Sequence, residues 1–444
     1  MRSYVMKLCS AFAKTIKREV MDKPVKPTFG KYYVTSIFTA LVLQCIDTFL
    51  IPLEWLRGKT AISNQPKSIL ISNMGGLGDV TVATSVIPVL KSAFPNVKIG
   101  FLVSKTSAPL INGHPDIDYI HLLDHWFSSR KRNKISLMTL KYWTEILHLV
   151  RDIRGISYDV AIELFPRIQN TIPLSWLASV PFRLGYTSGG CGPLLTHKID
   201  WVLKNQHVSK WHFDLLRMLP LSEDNIAKAK VSITLNDSEE FAGVYHAVGG
   251  NIENDFILVH IGALESKRKW MAPRWRELAI KLINDGYNLV FTGSGDNDSL
   301  EISSVITGLN SCINLCDKLT LTGYVAAIRS SKLVLCVDTV AQHVASGFDK
   351  PTVVIANGRH PYIWHPMHER HKVVMHQVPC IPCFRPRCCR QMECIHGIKV
   401  NDVYNACREL MGCQEREDIK IIGDIESFKG EFVGRKCENS CSEL

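Results

Sequence analysis

The sequence predicts two doubly wound α/β domains that face a cleft, preceded by a helical N-terminal extension. Three observations predict this fold: the length of 444 residues, short apolar runs that alternate with helical stretches, and the restart of that pattern in the second half. Alternating strands and helices are typical of βαβ units and a parallel sheet, and at about 150 residues per domain the length suits two or three domains. We expect an extension at 1–66, domains at 67–240 and 250–415, and a polar tail at 416–444.

Each element is predicted from a local pattern. Short, almost wholly apolar runs are typical of strands buried on both faces, and apolar residues at helical spacing predict the helices between them. In the first half we expect strands at 68–72, 97–103, 119–123, 159–164 and 183–185, with helices at 80–94 and 169–178. After a polar, weakly patterned linker around 235–254, we expect strands at 256–261, 288–292, 333–337 and 352–355, with helices at 275–285, 321–329 and 340–347.

Composition excludes whole classes of protein. Hydrophobic residues make up 46% and charged residues 21% of the chain, which excludes a wholly disordered chain and a polytopic membrane protein. The 15 cysteines are an odd number, so they cannot all pair within one chain, and a reducing compartment is the simpler interpretation. Five cysteines cluster late in the chain, where four thiolates could hold a structural zinc ion; free thiols and disulfides are the alternatives. The candidate zinc ligands are Cys380, Cys383, Cys388 and Cys394.

The net charge of +10 is concentrated at the N-terminus. Residues 1–31 hold eight basic and two acidic side chains, and a mostly apolar run follows at 32–56, interrupted by Gln44 and Asp47. A central Asp would cost about 2.5–3.5 kcal/mol in a spanning helix, so we expect an amphipathic or half-inserted anchor on anionic headgroups, with Trp55 at the interface. The alternative is a helix packed on the body of the protein. No cleavage signature follows the run, and the basic segment lacks the interleaved aromatics of a nucleic-acid-binding site.

The first chemical motif is the loop Gly75, Gly76, Leu77, Gly78, Asp79, between a predicted strand and a predicted helix. Its glycines would let backbone N–H groups approach an anion, such as a phosphate, at the helix N-terminus. It is neither a dinucleotide fingerprint nor a Walker loop. Asp79 is equally well interpreted as a helix-capping carboxylate or as a general base, since deprotonating an acceptor hydroxyl needs such a group.

Two further motifs lie in the second half. Asp338 and Thr339 end a predicted strand where they could cap the next helix, whose free N–H groups would bind an anion, with His343 near the same face. The alternative is a capped helix with a packed histidine. Three consecutive cations, Lys267, Arg268 and Lys269, could neutralise a diphosphate, although a run this short is more often a solvated surface.

In this order, these residues resemble glycosyltransferase family nine, the heptosyltransferases of lipopolysaccharide core assembly. The likeness covers roughly residues 67–410 and depends on the ordered set of motifs rather than on any one of them. Besides the motifs above, the resemblance includes the segments 84–90, 99–103, 158–164, 183–186, 260–263, 270–275 and 380–384.

The resemblance implies a GT-B architecture and an inverting, metal-independent hexosyl or heptosyl transfer that requires no cofactor. The donor would be a nucleotide sugar such as ADP-heptose, and the acceptor an anionic glycolipid such as a lipopolysaccharide core. The enzyme would be cytoplasmic and peripherally associated with the cytoplasmic face of the inner membrane. The motif residues suit this reaction electrostatically, because a leaving diphosphate needs cations and a helix N-terminus beneath it.

The resemblance also assigns roles to the motif residues. Asp79 matches the family's proposed general base. The diphosphate and sugar contacts match Asp338, Thr339 and His343, and the cation run falls where the family has a phosphate-binding lysine. Gly293 would lie near the nucleoside, with Asp296 or Asp298 as the ribose-binding acid.

Two departures from the family pattern keep a second hypothesis open. Val340 replaces a usual glycine and Met271 a usual proline. They suggest a GT-B-like protein without turnover that binds nucleotide sugar or glycolipid in envelope assembly. The intact Asp79 and the basic loop favour the transferase.

Overall fold

The computed structural model describes residues 29–34, 36–55, 65–124, 140–168, 170–204, 206–359, 363–381, 383 and 391–412. The strands of the first half are β1 (Ser68–Asn73), β2 (Lys98–Val103), β3 (Tyr119–Leu122), β4 (Val160–Glu163), β5 (Phe182–Tyr186) and β6 (His197–Ile199). Those of the second half are β7 (Phe256–His260), β8 (Asn288–Thr292), β9 (Cys312–Asn314), β10 (Leu333–Val337), β11 (Thr352–Ile355) and β12 (His371–Val374).

The helices lie before, between and after these strands. The extension forms α1 (Ile37–Trp55), and the first half continues with α2 (Leu77–Ala83), α3 (Val86–Ala93), α4 (Leu140–Ile156), α5 (Ile172–Leu177), α6 (Val208–Leu216) and α7 (Glu223–Ile226). The second half contains α8 (Ser238–Ala247), α9 (Ala272–Asn284), α10 (Asp296–Ile306), α11 (Leu321–Ser330), α12 (Val340–Gly347), α13 (Glu393–His396) and α14 (Val400–Leu410).

The strands form two six-stranded sheets, ordered β3-β2-β1-β4-β5-β6 and β12-β11-β10-β7-β8-β9. Every pair of neighbouring strands is parallel. Each sheet therefore has the doubly wound order in which the direction of winding reverses between its first and fourth strands. The predicted fold class, two such units with an N-terminal helix, is confirmed. A ligand is expected in the crevice outside the carboxyl ends of β1 and β4, and of β7 and β10.

The predicted helix at 80–94 is two helices, because the chain turns at Thr84 and Ser85. Both residues are fully buried, and the Thr84 hydroxyl donates to the Thr81 carbonyl at 2.7 Å. A hydroxyl that bonds the preceding turn competes with the regular helical pattern. The prediction of one continuous helix was wrong, and α2 and α3 pack separately on the first sheet.

The predicted polar linker contains α8. Its large apolar residues, Phe241 and Tyr245, stack with ring centroids 5.3 Å apart, and both contact Phe256 of β7. The Asp237 carboxylate accepts from the Glu240 amide at 2.9 Å and caps the helix. Two apolar positions one turn apart make a weak periodic pattern, which is why the helix escaped prediction.

The extension packs through one face of α1 on the first half of the chain, at the 3₁₀ turn Gly192–Leu194. Ala40, Leu43 and Asp47 are buried on that face. The Asp47 carboxylate pairs with the Lys31 ammonium at 2.7 Å and accepts from the Tyr32 hydroxyl at 2.9 Å. The charge that argued against a membrane-spanning helix therefore faces the protein, where both partners bind the same carboxylate oxygen.

The opposite face of α1 is apolar and exposed. It carries exposed large side chains at helical spacing: Ile37, Phe38, Leu41, Val42, Ile46 and Phe49, with Trp55 at the end. Among the described residues, α1 is the helix long and apolar enough to cross a membrane. Length and composition alone do not distinguish a spanning helix from one lying on a surface, whereas the buried Asp47 favours the second arrangement.

The two halves meet where α2 contacts α12. One hydrophobic cluster runs across both sheets and includes Val80 of α2 with Ala341 and Val344 of α12. At the crossing, a Cβ atom added to Gly78 would lie 3.0 Å from Cδ2 of His343. The helices can approach this closely because Gly78 has no side chain.

We expect Gly78→Val to separate α2 from α12 and to lower the free energy of unfolding by about 1–3 kcal/mol, the usual cost of overpacking. Gly76→Ala is the matched control, because its Cβ would lie an ordinary 3.6 Å from the Asp79 carboxylate, and it should cost less than about 1 kcal/mol. Urea unfolding measures both. Equal effects of the two variants would show that the crossing at Gly78 does not constrain the fold.

Candidate active site

Asp79 lies at the carboxyl end of β1, in the first turn of α2, and its loop is built around its side chain. One carboxylate oxygen accepts from the Gly76 amide at 2.9 Å. A Cβ atom at Gly75 would lie 2.3 Å from the Cβ of Asp79, so only glycine fits there. The Gly75 amide donates to the Asn73 side chain at 2.9 Å. The amides of Gly75 and Gly76, which were predicted to bind an anion, thus donate to side chains of the protein. The phosphate-binding role of this loop stays a prediction.

Arg167, which the sequence did not single out, follows β4 and brings a cation towards Asp79. Its guanidinium donates to the Tyr33 hydroxyl at 2.9 Å. Arg167 is exposed to solvent. Desolvation by neighbouring residues lowers the pKa of its guanidinium, but the contact with Tyr33 and the nearby Asp79 carboxylate outweigh this effect and raise the pKa overall. The signal that could have found Arg167 is its position after a strand next to the switch point of the sheet.

Glu163, the last residue of β4, joins the two ends of the loop that carries Arg167. Its carboxylate accepts from the Phe165 amide at 3.1 Å, from the Thr171 amide at 2.5 Å and from the Thr171 and Ser72 hydroxyls at 2.8 and 3.0 Å. Burial raises the pKa of Glu163 to about 7, against the effect of these donors. The loop is therefore held at its base by one buried acid.

Across the cleft, α12 begins at the carboxyl end of β10 without a side-chain cap. The Thr339 hydroxyl donates to the Val337 carbonyl at 3.3 Å and accepts no hydrogen bond from the helix. Asp338 instead accepts from the Gln342 amide group at 2.7 Å. The expected capping by these residues was therefore wrong. Burial raises the pKa of Asp338, although Arg268 and Gln342 oppose the shift.

His343 is buried at the contact between the two halves. Burial, with smaller contributions from His365 and Arg268, lowers its pKa to about 3. Its Nδ1 atom is buried without a hydrogen-bond partner among the described residues, as are Gln342 Oε1 and Arg268 Nε nearby. His343 is neutral at physiological pH, so it can donate or accept one hydrogen bond but supplies no charge.

The three consecutive cations have different partners. Ser266–Arg268 forms a 3₁₀ turn after β7, in which successive side chains point in different directions. The Lys267 ammonium pairs with Glu265 at 3.2 Å, and Arg359 donates to the same carboxylate at 2.7 Å. Arg268 lies 3.4 Å from the Asp338 carboxylate. These groups lie at the carboxyl ends of β7, β10 and β11.

Lys269 points away from the other two cations, towards the start of α10. Its ammonium pairs with Asp298 and Glu301, each at 2.8 Å. A Cβ atom at Gly293 would lie 2.9 Å from the Cβ of Asp298, so the loop packs closely on that acid. Asp296 is the first residue of α10 and is exposed. Of the two predicted ribose-binding acids, Asp298 already has a cationic partner.

The cysteine cluster is described only in part, because Cys388 lies outside the described residues. Cys380, Cys383 and Cys394 are all partly buried. Among the described positions, no group of three or more His, Cys, Asp or Glu side chains is arranged to hold a metal ion. Structural zinc stays a prediction.

The cleft thus joins a carboxylate from one sheet to cations and an uncapped helix N-terminus from the other. The sequence matches the profile of glycosyltransferase family 9 (heptosyltransferase) over residues 146–394, more than half of the chain. The chain belongs to glycosyltransferase family 9. The family resemblance predicted from the motifs is confirmed, and with it a heptosyltransferase-like glycosyltransferase.

Individual family 9 relatives are distant in sequence and close in fold. Lipopolysaccharide heptosyltransferase 3 of Escherichia coli is 20% identical over 307 residues, which cover 65% of this chain and 83% of the relative. The structure of a family 9 glycosyl transferase from Veillonella parvula has a TM-score of 0.67 at 19% identity, covering 79% of this chain and 99% of that one. E. coli heptosyltransferase WaaC with ADP-2-deoxy-2-fluoro heptose has a TM-score of 0.58 at 15% identity, covering 77% and 99%. These structures support the GT-B fold.

We expect Glu163→Gln to remove a pH dependence of stability. The folded-state pKa of Glu163 is raised from 4.5 to about 7. The stabilising contribution of its protonation to the free energy of unfolding is therefore complete below about pH 4.5 and is lost as the pH rises through about 7. The free energy of unfolding of the wild type minus that of Glu163→Gln should therefore fall by up to about 3 kcal/mol over that interval.

Urea unfolding of both chains across this pH range measures the difference, and other titrating groups cancel because they are common to both. Glutamine keeps the side-chain length and one acceptor oxygen. A difference that stays constant with pH would contradict the raised pKa.

Proposed function

We propose that this family 9 chain transfers a heptose-like sugar from a nucleoside-diphosphate donor, such as ADP-heptose, to a lipopolysaccharide core or related glycolipid, with inversion and without a metal. The observation that carries the proposal is the contact between α2 and α12 at Gly78 and His343. Asp79 directly follows Gly78 in the first half, and Thr339 lies four residues before His343 in the second half. Both residues are therefore close in sequence to the point where the two helices cross.

On the acceptor side, Asp79 acts as the general base. The acceptor hydroxyl oxygen attacks the anomeric carbon of the donor, the bond from that carbon to the diphosphate oxygen breaks, and the hydroxyl proton passes to the Asp79 carboxylate. A single displacement inverts the anomeric configuration and needs no carboxylate nucleophile. The Gly76 amide, bonded to one carboxylate oxygen at 2.9 Å, holds the base in place.

On the donor side, α12 and the cations stabilise the leaving diphosphate. The first amides of α12 receive no cap from Thr339, and a helix N-terminus favours an anion. Lys267, Arg268 and Arg359 lie together with the carboxylates Glu265 and Asp338 at this edge of the second sheet. These groups can take up the charge that develops as the sugar leaves, so the proposed reaction requires no metal ion.

Three unsatisfied atoms support a polar ligand at the same place. Arg268 Nε, Gln342 Oε1 and His343 Nδ1 are buried without partners among the described residues. Buried polar atoms are normally hydrogen-bonded. A donor seated on α12 would supply partners, with Asp338, Thr339 and His343 contacting diphosphate and sugar and with Gly293 and Asp296 beside the nucleoside.

The donor and acceptor classes come from the relatives. The WaaC structure is of the enzyme with ADP-2-deoxy-2-fluoro heptose, and the E. coli relative is a lipopolysaccharide heptosyltransferase. At 15% and 20% identity, these two proteins support the class of substrate, an ADP-sugar and an anionic glycolipid. We extend that class to this chain.

We further propose that the exposed face of α1 lies on an anionic membrane, on the cytoplasmic side of the inner membrane. Phe38 and Phe49 are 73% and 84% exposed on this face, which is opposite the face that buries Asp47. Of the eight basic side chains of residues 1–31, Lys31 pairs with Asp47, and the seven that precede it in the sequence complement anionic headgroups. An in-plane helix of this kind would hold the enzyme beside a lipid-linked acceptor.

We expect Asp79→Asn to lower acceptor-dependent release of nucleoside diphosphate by about 10²–10⁴-fold, the usual contribution of a general base. The asparagine oxygen can still accept from the Gly76 amide, so the melting temperature and the donor affinity should stay near the wild-type values. Asp152→Asn, at an exposed position on α4, is the matched control and should turn over normally.

The assay uses ADP-, GDP- and UDP-sugars with and without heptose-deficient lipopolysaccharide. Wild-type turnover by Asp79→Asn would remove Asp79 from the mechanism. A wild-type chain that binds a nucleotide sugar but releases no diphosphate with any donor would support the non-catalytic alternative.

We expect Phe38→Ser with Phe49→Ser to weaken binding of the full chain to phosphatidylglycerol vesicles at least about tenfold, since burying one exposed Phe contributes about 1.5–3 kcal/mol. Leu300→Ser, at a 71% exposed position on α10, is the control. Vesicle sedimentation measures binding. Equal binding by the double variant and the wild type would show that α1 does not face the membrane.

A further inference from the structure

The extension reaches the acceptor side of the cleft through the segment 29–34, here called the strap. The Tyr33 ring stacks on Trp201 with centroids 4.1 Å apart and planes 12° apart. Its hydroxyl accepts from the Arg167 guanidinium at 2.9 Å, and the guanidinium carbon lies 4.4 Å from the centre of the same ring. Tyr33 therefore contacts Arg167 through both its hydroxyl and its ring.

The strap and the Arg167 loop are joined through the turn at 187–190. The Tyr33 amide donates to the Ser188 carbonyl at 3.0 Å, and the Ser188 hydroxyl donates to the Pro166 carbonyl at 2.8 Å. A Cβ atom at Gly189 would lie 2.4 Å from the Arg167 carbonyl oxygen, so the turn packs directly on the loop. Displacing the strap would disturb both neighbours.

The strap is in turn held by α1. Tyr32 and Lys31 both bind the buried Asp47 carboxylate. A Cβ atom at Gly190 would lie 2.7 Å from a methyl group of Leu43, so α1 also presses on the turn. The apolar outer face of α1, its buried inner face, the strap and Arg167 thus form one continuous set of contacts.

Arg167 can recognise an acidic acceptor only if its planar group is held in one orientation. A guanidinium binds a carboxylate or phosphate through two N–H groups in a fixed fork, and an arginine side chain has high rotamer entropy when it is unconstrained. Tyr33 supplies that constraint by occupying one N–H group and one face of the guanidinium. The other N–H groups can then meet an oxyanion beside Asp79.

We propose that Tyr33 is a positioning residue that orients Arg167 towards an oxyanion of the acceptor, so that the N-terminal extension forms part of the active site. This inference rests on the proposed transferase function. It assigns to the extension a role in acceptor recognition in addition to membrane contact. The oxyanion is a carboxylate or a phosphate, either of which suits the same guanidinium.

Tyr33→Phe tests the inference, because it removes the hydroxyl and keeps the ring on Trp201. With ADP-heptose and heptose-deficient lipopolysaccharide, we expect the acceptor KM to rise about 5–10-fold, while kcat and the donor KM change less than about twofold. Arg167→Lys keeps the charge but loses the planar fork, and should raise the acceptor KM at least as much. Tyr404→Phe is the control: it removes a hydroxyl on α14 that donates to Asp285, just after α9, and should change none of these constants.

A double-mutant cycle separates positioning from a structural role. If Tyr33 acts through Arg167, Tyr33→Phe should have no further effect on the acceptor KM in an Arg167→Gln chain. An unchanged acceptor KM in Tyr33→Phe, or effects that add fully in the double variant, would overturn the inference alone. Absence of turnover in the wild-type chain would overturn the proposed function and this inference with it.

Discussion

The close approach of α2 and α12 at Gly78 is the constraint on which the rest of the cleft depends. Because Gly78 has no side chain, the helix that carries Asp79 lies directly against His343 of the other half. The same crossing buries a hydrophobic cluster that runs through both sheets. Two doubly wound sheets bind ligands at the carboxyl ends of their strands, and this crossing makes those two edges face each other. The proposed base and the proposed diphosphate-binding elements therefore lie on either side of one helix crossing.

The three consecutive cations after β7 do not act as one group, because the local backbone directs their side chains to different partners. Lys267 and Arg268 lie in the 3₁₀ turn, whereas Lys269 follows it with an extended backbone. The cation run therefore splits: Lys267 and Arg268 pair with Glu265 and Asp338 near α12, and Lys269 pairs with two acids of α10. A run that resembles one diphosphate clamp in sequence thus serves two purposes. Two of its cations remain near the N-terminus of α12, and the third fastens the loop that follows β8 to β7.

The extension connects the cleft to its surroundings. Asp47, the residue least compatible with a membrane helix, is paired inside the protein, and the exposed face of α1 is left apolar. The packing alternative holds for one face of α1, whereas contact of the exposed apolar face with lipid stays a prediction. The contacts of Tyr32 and Tyr33 join this helix to the loop of Arg167. Membrane contact and acceptor recognition would thus depend on one set of packed residues.

The fold class, the family and several elements could be predicted from sequence alone: the strands β8, β10 and β11 and the helix α12 begin and end at the predicted residues. Continuous apolar runs report burial on both faces, and a glycine loop between strand and helix is visible locally. The edge strands β6, β9 and β12 were not predicted, because they are half-buried and lack such runs. Only the tertiary structure decided the partners of Glu163, Arg167 and Lys269, because these depend on which loops the parallel sheets bring to one edge, and local sequence patterns carry no information about contacts between distant residues.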